Sequence, residues 1–176
     1  MNHFLFRNSW WSKRKRPRIN IGVTLFDFII EITGLVAVLA IWGSLAVTYS
    51  GLPDAIPIHY NMGQVDKPGG KNSIFILPAL ATVLFVGMKI LCRFPHRFNY
   101  PVKITENNAF LQYRNMAKMI RCLTLAIILV FGYIFFHTVL NTGENTAGIV
   151  IWFLPVTLAT IFIPITYFMV KSFMYR

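Results

Sequence analysis

Gly51-Leu-Pro-Asp-Ala-Ile-Pro-Ile-His-Tyr-Asn-Met-Gly-Gln-Val-Asp-Lys-Pro-Gly-Gly-Lys71 is a polar island, punctuated by proline and glycine, between two apolar stretches. Each flanking stretch is long enough to cross a membrane, because a hydrocarbon core of about 30 Å needs roughly 20 apolar residues in a helix. Four runs approach that length, at 23–50, 72–92, 119–140 and 148–170. The composition agrees: 56% of residues are hydrophobic and 13% charged, against roughly a quarter charged in a soluble domain. The chain reads as an all-α membrane protein, a four-transmembrane-helix bundle. Its island at 51–71 forms a short ordered extracytoplasmic loop between helices 1 and 2, and an interfacial cytoplasmic helix precedes helix 3. Residues 1–22 read as a basic cytoplasmic N-terminal segment and 23–176 as a single four-span domain.

The net charge of +11 fixes the expected orientation by its placement. Arg7, Lys13, Arg14, Lys15, Arg16 and Arg18 precede the first span, Lys89 to Arg121 surround the second connection, and Lys171 and Arg176 follow the fourth span. Only Lys67 and Lys71 fall on the other side. Positive charge collects on the cytoplasmic face of membrane proteins, so both termini and the 93–118 connection are expected inside, with 51–71 and 141–147 outside. The run from Lys13 to Arg18 serves as an anchor at an anionic leaflet; no folded reader accompanies it, so nucleic acid is not expected as a partner. A cleaved signal peptide is not expected either, since the basic stretch leads into a full-length span. The aromatic-rich residues 1–11 suit the membrane interface.

Polar groups inside the spans are few. Asp27 and Glu31 stand four apart, hence on one helical face, in the cytoplasmic third of span one. They read as anchors paired with Arg114, Lys118 or Arg121; the alternative is a proton or ion path. Pro78, Pro155 and Pro164 interrupt or kink helices. Thr105 caps a helix whose stripe runs through Ala109, Phe110, Tyr113, Ala117 and Ile120 and continues into span three. His96 reads as a surface residue, and His137, near the outer end of span three, as a polar residue within reach of the 51–71 loop. Cys92 and Cys122, without a CxxC pattern, read as packing residues in a reducing compartment.

The loop holds the candidate site: Pro53, Asp54, Pro57, His59, Asn61, Gly63, Asp66 and Lys71. The two prolines push Leu52 and Ile56 toward extended backbone. A short strand then places His59 and Asn61 on one face. Asn61 to Gln64 reads as a turn, with Gly63 free to take positive φ, and a hairpin-like return brings Asp66 beside His59. Such a set binds a polar group, and a histidine–carboxylate contact makes a general base conceivable. One histidine and one or two carboxylates match no zinc spacing, so neither metal nor cofactor is expected. The plain alternative is an ordered cap over the bundle.

Leu52-Pro53, Ile56-Pro57, His59-Tyr60-Asn61, Gly63, Asp66 and Lys71 resemble the signature loop of the DUF1648 family of small bacterial membrane proteins, LPxxIPxHFN…G..D…K between two spans. Tyr100 to Thr105 and Asn108 to Tyr113 are similar to a weaker cytoplasmic stretch of the same family, so the resemblance covers roughly 30–115. It departs in a shorter gap between Asn61 and Gly63 and in Pro68-Gly69-Gly70 before the lysine. The resemblance implies a bacterial cytoplasmic membrane location. Relatives of the family include immunity proteins against a peptide toxin that also signal by capturing a repressor. They carry further C-terminal spans, whereas four are counted here.

Three functions follow. The first is a non-enzymatic binding, immunity or signalling protein whose outer loop meets a peptide or small molecule, with the lipid bilayer as its other partner. The second is a membrane-embedded hydrolase with His59 as base and Asp66 as orienter or, in a metal-assisted variant, as metal ligand. A transporter subunit is the third, and the almost entirely apolar centres of spans two to four weigh against it.

Overall fold

The computed structural model describes residues 16–61, 64–140 and 147–176, with side-chain surroundings outside 57–68 and 147–151. The interfacial reading of residues 1–11, the Asn61–Gln64 turn with Gly63, and most of the 141–147 connection lie outside the described residues.

Four helices alternate in direction: α1 Leu25–Thr48, α2 Ile76–Leu91, α3 Ala109–Leu140 and α4 Ala147–Met174. Between α1 and α2 the chain forms a two-stranded antiparallel hairpin, β1 Ala55–Asn61 and β2 Gln64–Gly70. Short 3₁₀ turns at 49–51 and 71–75 join it to the helices. All four helices are long and apolar enough to span a membrane. At 1.5 Å per residue α3 is about 48 Å long, well beyond the hydrocarbon core, because the helix capped at Thr105 and the third span are one continuous element.

The bundle is built on α3, which packs against each of the other helices, whereas α1 and α2 meet each other more sparingly. The buried positions of α1 explain its contact. Asp27, Gly34, Val38, Ile41 and Leu45, together with the largely buried Glu31, repeat at alternating steps of four and three. That is the spacing of a seam held against a neighbouring helix. At its far end Val38, Ile41 and Leu45 join Leu52, Ile56, Ile74, Ala81, Ile128 and Phe135 in one apolar core.

Elsewhere the helices turn apolar surface outward: Val47 is 81%, Leu140 79% and Trp152 71% exposed within the chain. A soluble protein does not leave such continuous apolar faces in water; here they face lipid. α4 is the most peripheral helix, with only Phe168 and Ser172 buried among its described residues. Pro78 sits in the first turn of α2, where its missing N–H costs no helical bond. Pro155 and Pro164 lie inside α4.

Candidate functional site

The hairpin is anchored at its root. Leu52 and Ile56 are 7% and 1% exposed, and the Lys71 N–H donates to the Asp54 carbonyl at 2.9 Å, closing the base where Ala55 pairs with Gly70. The Tyr49 hydroxyl lies 2.6 Å from Asn72 Oδ1, its ring packs on Phe75, and the Lys71 ammonium sits 4.6 Å from the centre of the same ring. A cation over an aromatic face contributes about 0.5–1 kcal/mol when exposed. Pro53 and Asp54 are exposed.

Beyond the root, Pro57 pairs with Pro68. Neither residue has an N–H to give, so the ladder is weak there, and the register slips just past it: His59 stands opposite Lys67, Tyr60 opposite Val65 and Asn61 opposite Gln64. The expected hairpin return is present in the backbone, but Asp66 falls at the slip instead of opposite His59. Whether the side chains of Pro57, His59, Asn61 and Asp66 converge lies outside the described residues, and so does Gly63. His137 stacks on Tyr133, with ring centres 5.9 Å apart.

At the opposite, basic end the two acidic residues of span one find their partners. Thr24 and Asp27 form a reciprocal cap: Asp27 Oδ2 accepts from the Thr24 N–H at 2.9 Å and its hydroxyl at 2.7 Å, while the Asp27 N–H reaches Thr24 Oγ1. Arg121 of α3 then spans one turn of α1, with Nε 2.9 Å from Glu31 Oε1 and Nη1 3.4 Å from Asp27 Oδ1. Lys89 of α2 adds a contact to Glu31 Oε2 at 3.1 Å. One cluster thus joins three helices. The anchor reading holds through Arg121, while the other two expected partners are engaged elsewhere. Arg114 lies over the Phe110 ring and Lys118 over Phe26. Lys89 was not foreseen, because only helix packing brings it beside Glu31. Among the described residues no three His, Cys, Asp or Glu side chains gather as metal ligands.

A strap completes this end. Arg16 donates to the carbonyls of His96 and Phe98 and lies over the Tyr100 ring. The hydroxyl of the fully buried Tyr113 donates to the Pro17 carbonyl at 3.1 Å. Gly22, at a φ of 62°, takes the left-handed turn that leads the strap into α1. Loss of solvation, with Arg18, Arg97 and Arg16 nearby, pushes His96 below its ordinary value. Cys92 is buried, with its Sγ 3.8 Å from the Ala117 carbonyl of α3, a contact between α2 and α3.

The fold and its lipid-facing helices define a multi-pass membrane protein with four candidate spans. Residues 35–82, from the middle of α1 through the hairpin into α2, match the family model described as Domain of unknown function (DUF1648), as the loop resemblance led us to expect. No curated protein and no solved structure matches the chain.

Proposed function

We propose that this chain is a non-enzymatic ligand-binding protein of the bacterial cytoplasmic membrane, of immunity or signalling type, with the hairpin as its binding site. In this reading the basic end faces the cytoplasm, consistent with the placement of positive charge, and the hairpin faces outward. Pro53, Asp54, Pro57, His59, Asn61, Gly63, Asp66 and Lys71 form the contact set.

One observation carries the reading: the root of the hairpin is buried in the bundle core, while the ladder beyond it has no third strand among the described residues. A two-stranded ladder keeps outward-facing N–H and C=O groups on both edges. An extended peptide can pair with such an edge and take its specificity from alternate side chains. A peptide therefore suits the hairpin better than a small molecule, for which a concave pocket is the usual site.

The test uses cells carrying the wild-type chain, the His59→Ala, Asp66→Asn double variant, or neither, exposed to the peptide fraction secreted by the same bacterium. Protection by the wild type, and its loss in a variant that keeps its melting temperature, supports the reading. Equal growth of all three strains refutes it. If the variant unfolds, the loop is a structural cap.

A further inference from the structure

The basic end of the bundle holds a cleft of about 590 Å³, within the range of ligand pockets. It is walled by residues 18–23 of the strap, by Glu31 of α1, by the end of α2 with the turn that follows, and by Arg121 of α3. Four cations face it, Arg18, Lys89, Arg93 and Arg121, against the single carboxylate of Glu31. Lys89 and Arg121 are engaged by Glu31 and Asp27. The surplus therefore comes from Arg18 and Arg93, which pair with no carboxylate among the described residues.

A second feature begins where the cleft ends. Glu31, Lys89, Cys92 and Arg121 also line a narrow apolar crevice, about 20 Å³, between α1 and α2, passing Ile30, Gly34 and Met88 and floored by Thr124, Leu125 and Ile128 of α3. Gly34 keeps it narrow yet open: a Cβ at that position would stand 3.1 Å from the Phe85 ring. Ile30, Phe85 and Met88, which line it, are half-buried, and Lys89 at its mouth is exposed, so the crevice opens at the surface of the bundle.

We infer that the cleft and crevice together bind one phospholipid with an anionic headgroup. Its phosphate sits among Arg18, Arg93 and Lys89, and one acyl chain lies across the mouth of the crevice on the outer surface of α1 and α2, since the crevice itself admits only a group about the size of a water. The two halves select that occupant jointly. A bare anion would use only the cleft, and a lipid without net charge would gain nothing from the unpaired arginines. Lys89 stands in the last turn of its span, the depth at which headgroups begin, and guanidinium forks match phosphate oxygens. Basic pockets between helices are suited to anionic headgroups, at about 1 kcal/mol for each Lys or Arg near the surface.

The experiment takes the full chain, delipidated in a non-ionic detergent. Phosphatidylglycerol, phosphatidylcholine with the same chains, glycerol 3-phosphate and inorganic phosphate are each titrated, with binding read by native mass spectrometry and by the melting temperature. The wild type should bind phosphatidylglycerol at least about tenfold tighter than phosphatidylcholine, and the two tail-less anions should not compete at comparable concentrations. The Arg18→Gln, Arg93→Gln double variant should lose most of that preference and bind phosphatidylcholine unchanged. A Lys103→Gln, Arg176→Gln variant, which removes two charges bordering a different cleft, should keep it. Equal binding of the two lipids overturns the inference, and so does equal loss in both variants, which marks a diffuse surface field. Competition by free phosphate at lipid-like concentrations means a bare anion site and also overturns it. If the Arg18, Arg93 variant fails to fold, the wild-type comparison of lipids and tail-less anions decides alone.

Discussion

Replacing Arg121 with glutamine strikes the one side chain that two carboxylates share. The Asp27 side chain is 2% exposed and that of Arg121 9%, so neither charge can turn to water once its partner is gone. Removing one member of a buried pair costs about 3–5 kcal/mol, much of it the desolvation of the charge left behind. Asp27 keeps two hydrogen bonds from Thr24, and Glu31 keeps Lys89, so the lower end, about 3 kcal/mol, is expected. For a chain of this size that corresponds to a melting point lower by roughly 6–12 °C. Lys89→Gln provides the internal comparison. Its side chain is 49% exposed, and an ion pair that open contributes about 0–1 kcal/mol.

The assay is thermal unfolding in detergent, followed by tryptophan fluorescence, for wild type, Arg121→Gln, Lys89→Gln and the triple variant Asp27→Asn, Glu31→Gln, Arg121→Gln. The triple variant leaves no buried charge unpaired. It should recover a substantial part of the loss, since neutralising a whole buried cluster is far less costly than breaking it. An Arg121→Gln variant no less stable than Lys89→Gln would refute the claim that this cluster locks α1 to α3.

Three further outcomes are expected. Gly132→Ala should be neutral or stabilising by up to about 1 kcal/mol, because its Cβ would meet Ile41 at an ordinary 3.5 Å, whereas Gly34→Ala must displace the Phe85 ring and should cost about 1–2 kcal/mol; paired melting curves check the contrast. Gln112→Leu should lower stability by about 1–3 kcal/mol and hasten proteolysis at the end of α4, because Gln112 Nε2 donates to the Ser172 and Tyr175 carbonyls at 2.7 and 3.1 Å and would leave them without that donor. Cys92, 5% exposed, should resist iodoacetamide in the folded protein and react once the chain is unfolded, as peptide mass mapping would show.

The spans were legible because twenty-residue apolar runs admit few other readings, and the capped start of α3 because Thr105 and Asn108 exchange backbone-to-side-chain bonds that their spacing announces. The tertiary pairings were less accessible. Arg114, Lys118 and Arg121 are equally plausible partners by composition. Only the rotation of α3 turns Arg121 inward and leaves the other two over the aromatic rings of Phe110 and Phe26. One signal was available: Asp27 and Glu31 continue the heptad phase of Gly34, Val38, Ile41 and Leu45, which places both acids on the packed seam. The strap left no such trace, since Arg16 and Pro17 sit in a basic run that reads as an anchor at an anionic leaflet. In the loop, alternation around His59 gave the strand, but the facing of Pro57 and Pro68, and the slip that follows, depends on a register that no spacing rule fixes.

The seam of α1 also determines how far its two ends depend on each other. Its first two members carry the ion cluster, and its last, Leu45, shares a core with Leu52 and Ile56 at the root of the hairpin. The hairpin therefore inherits its position from helix packing and from two buried apolar residues, while Pro53 and Asp54 stay exposed outside that core. Substitutions beyond the root should leave the bundle undisturbed, whereas loosening Arg121 releases the strut on which the hairpin stands. Loss of the proposed binding with stability intact is thus evidence about the loop itself, and loss of both together points to the seam.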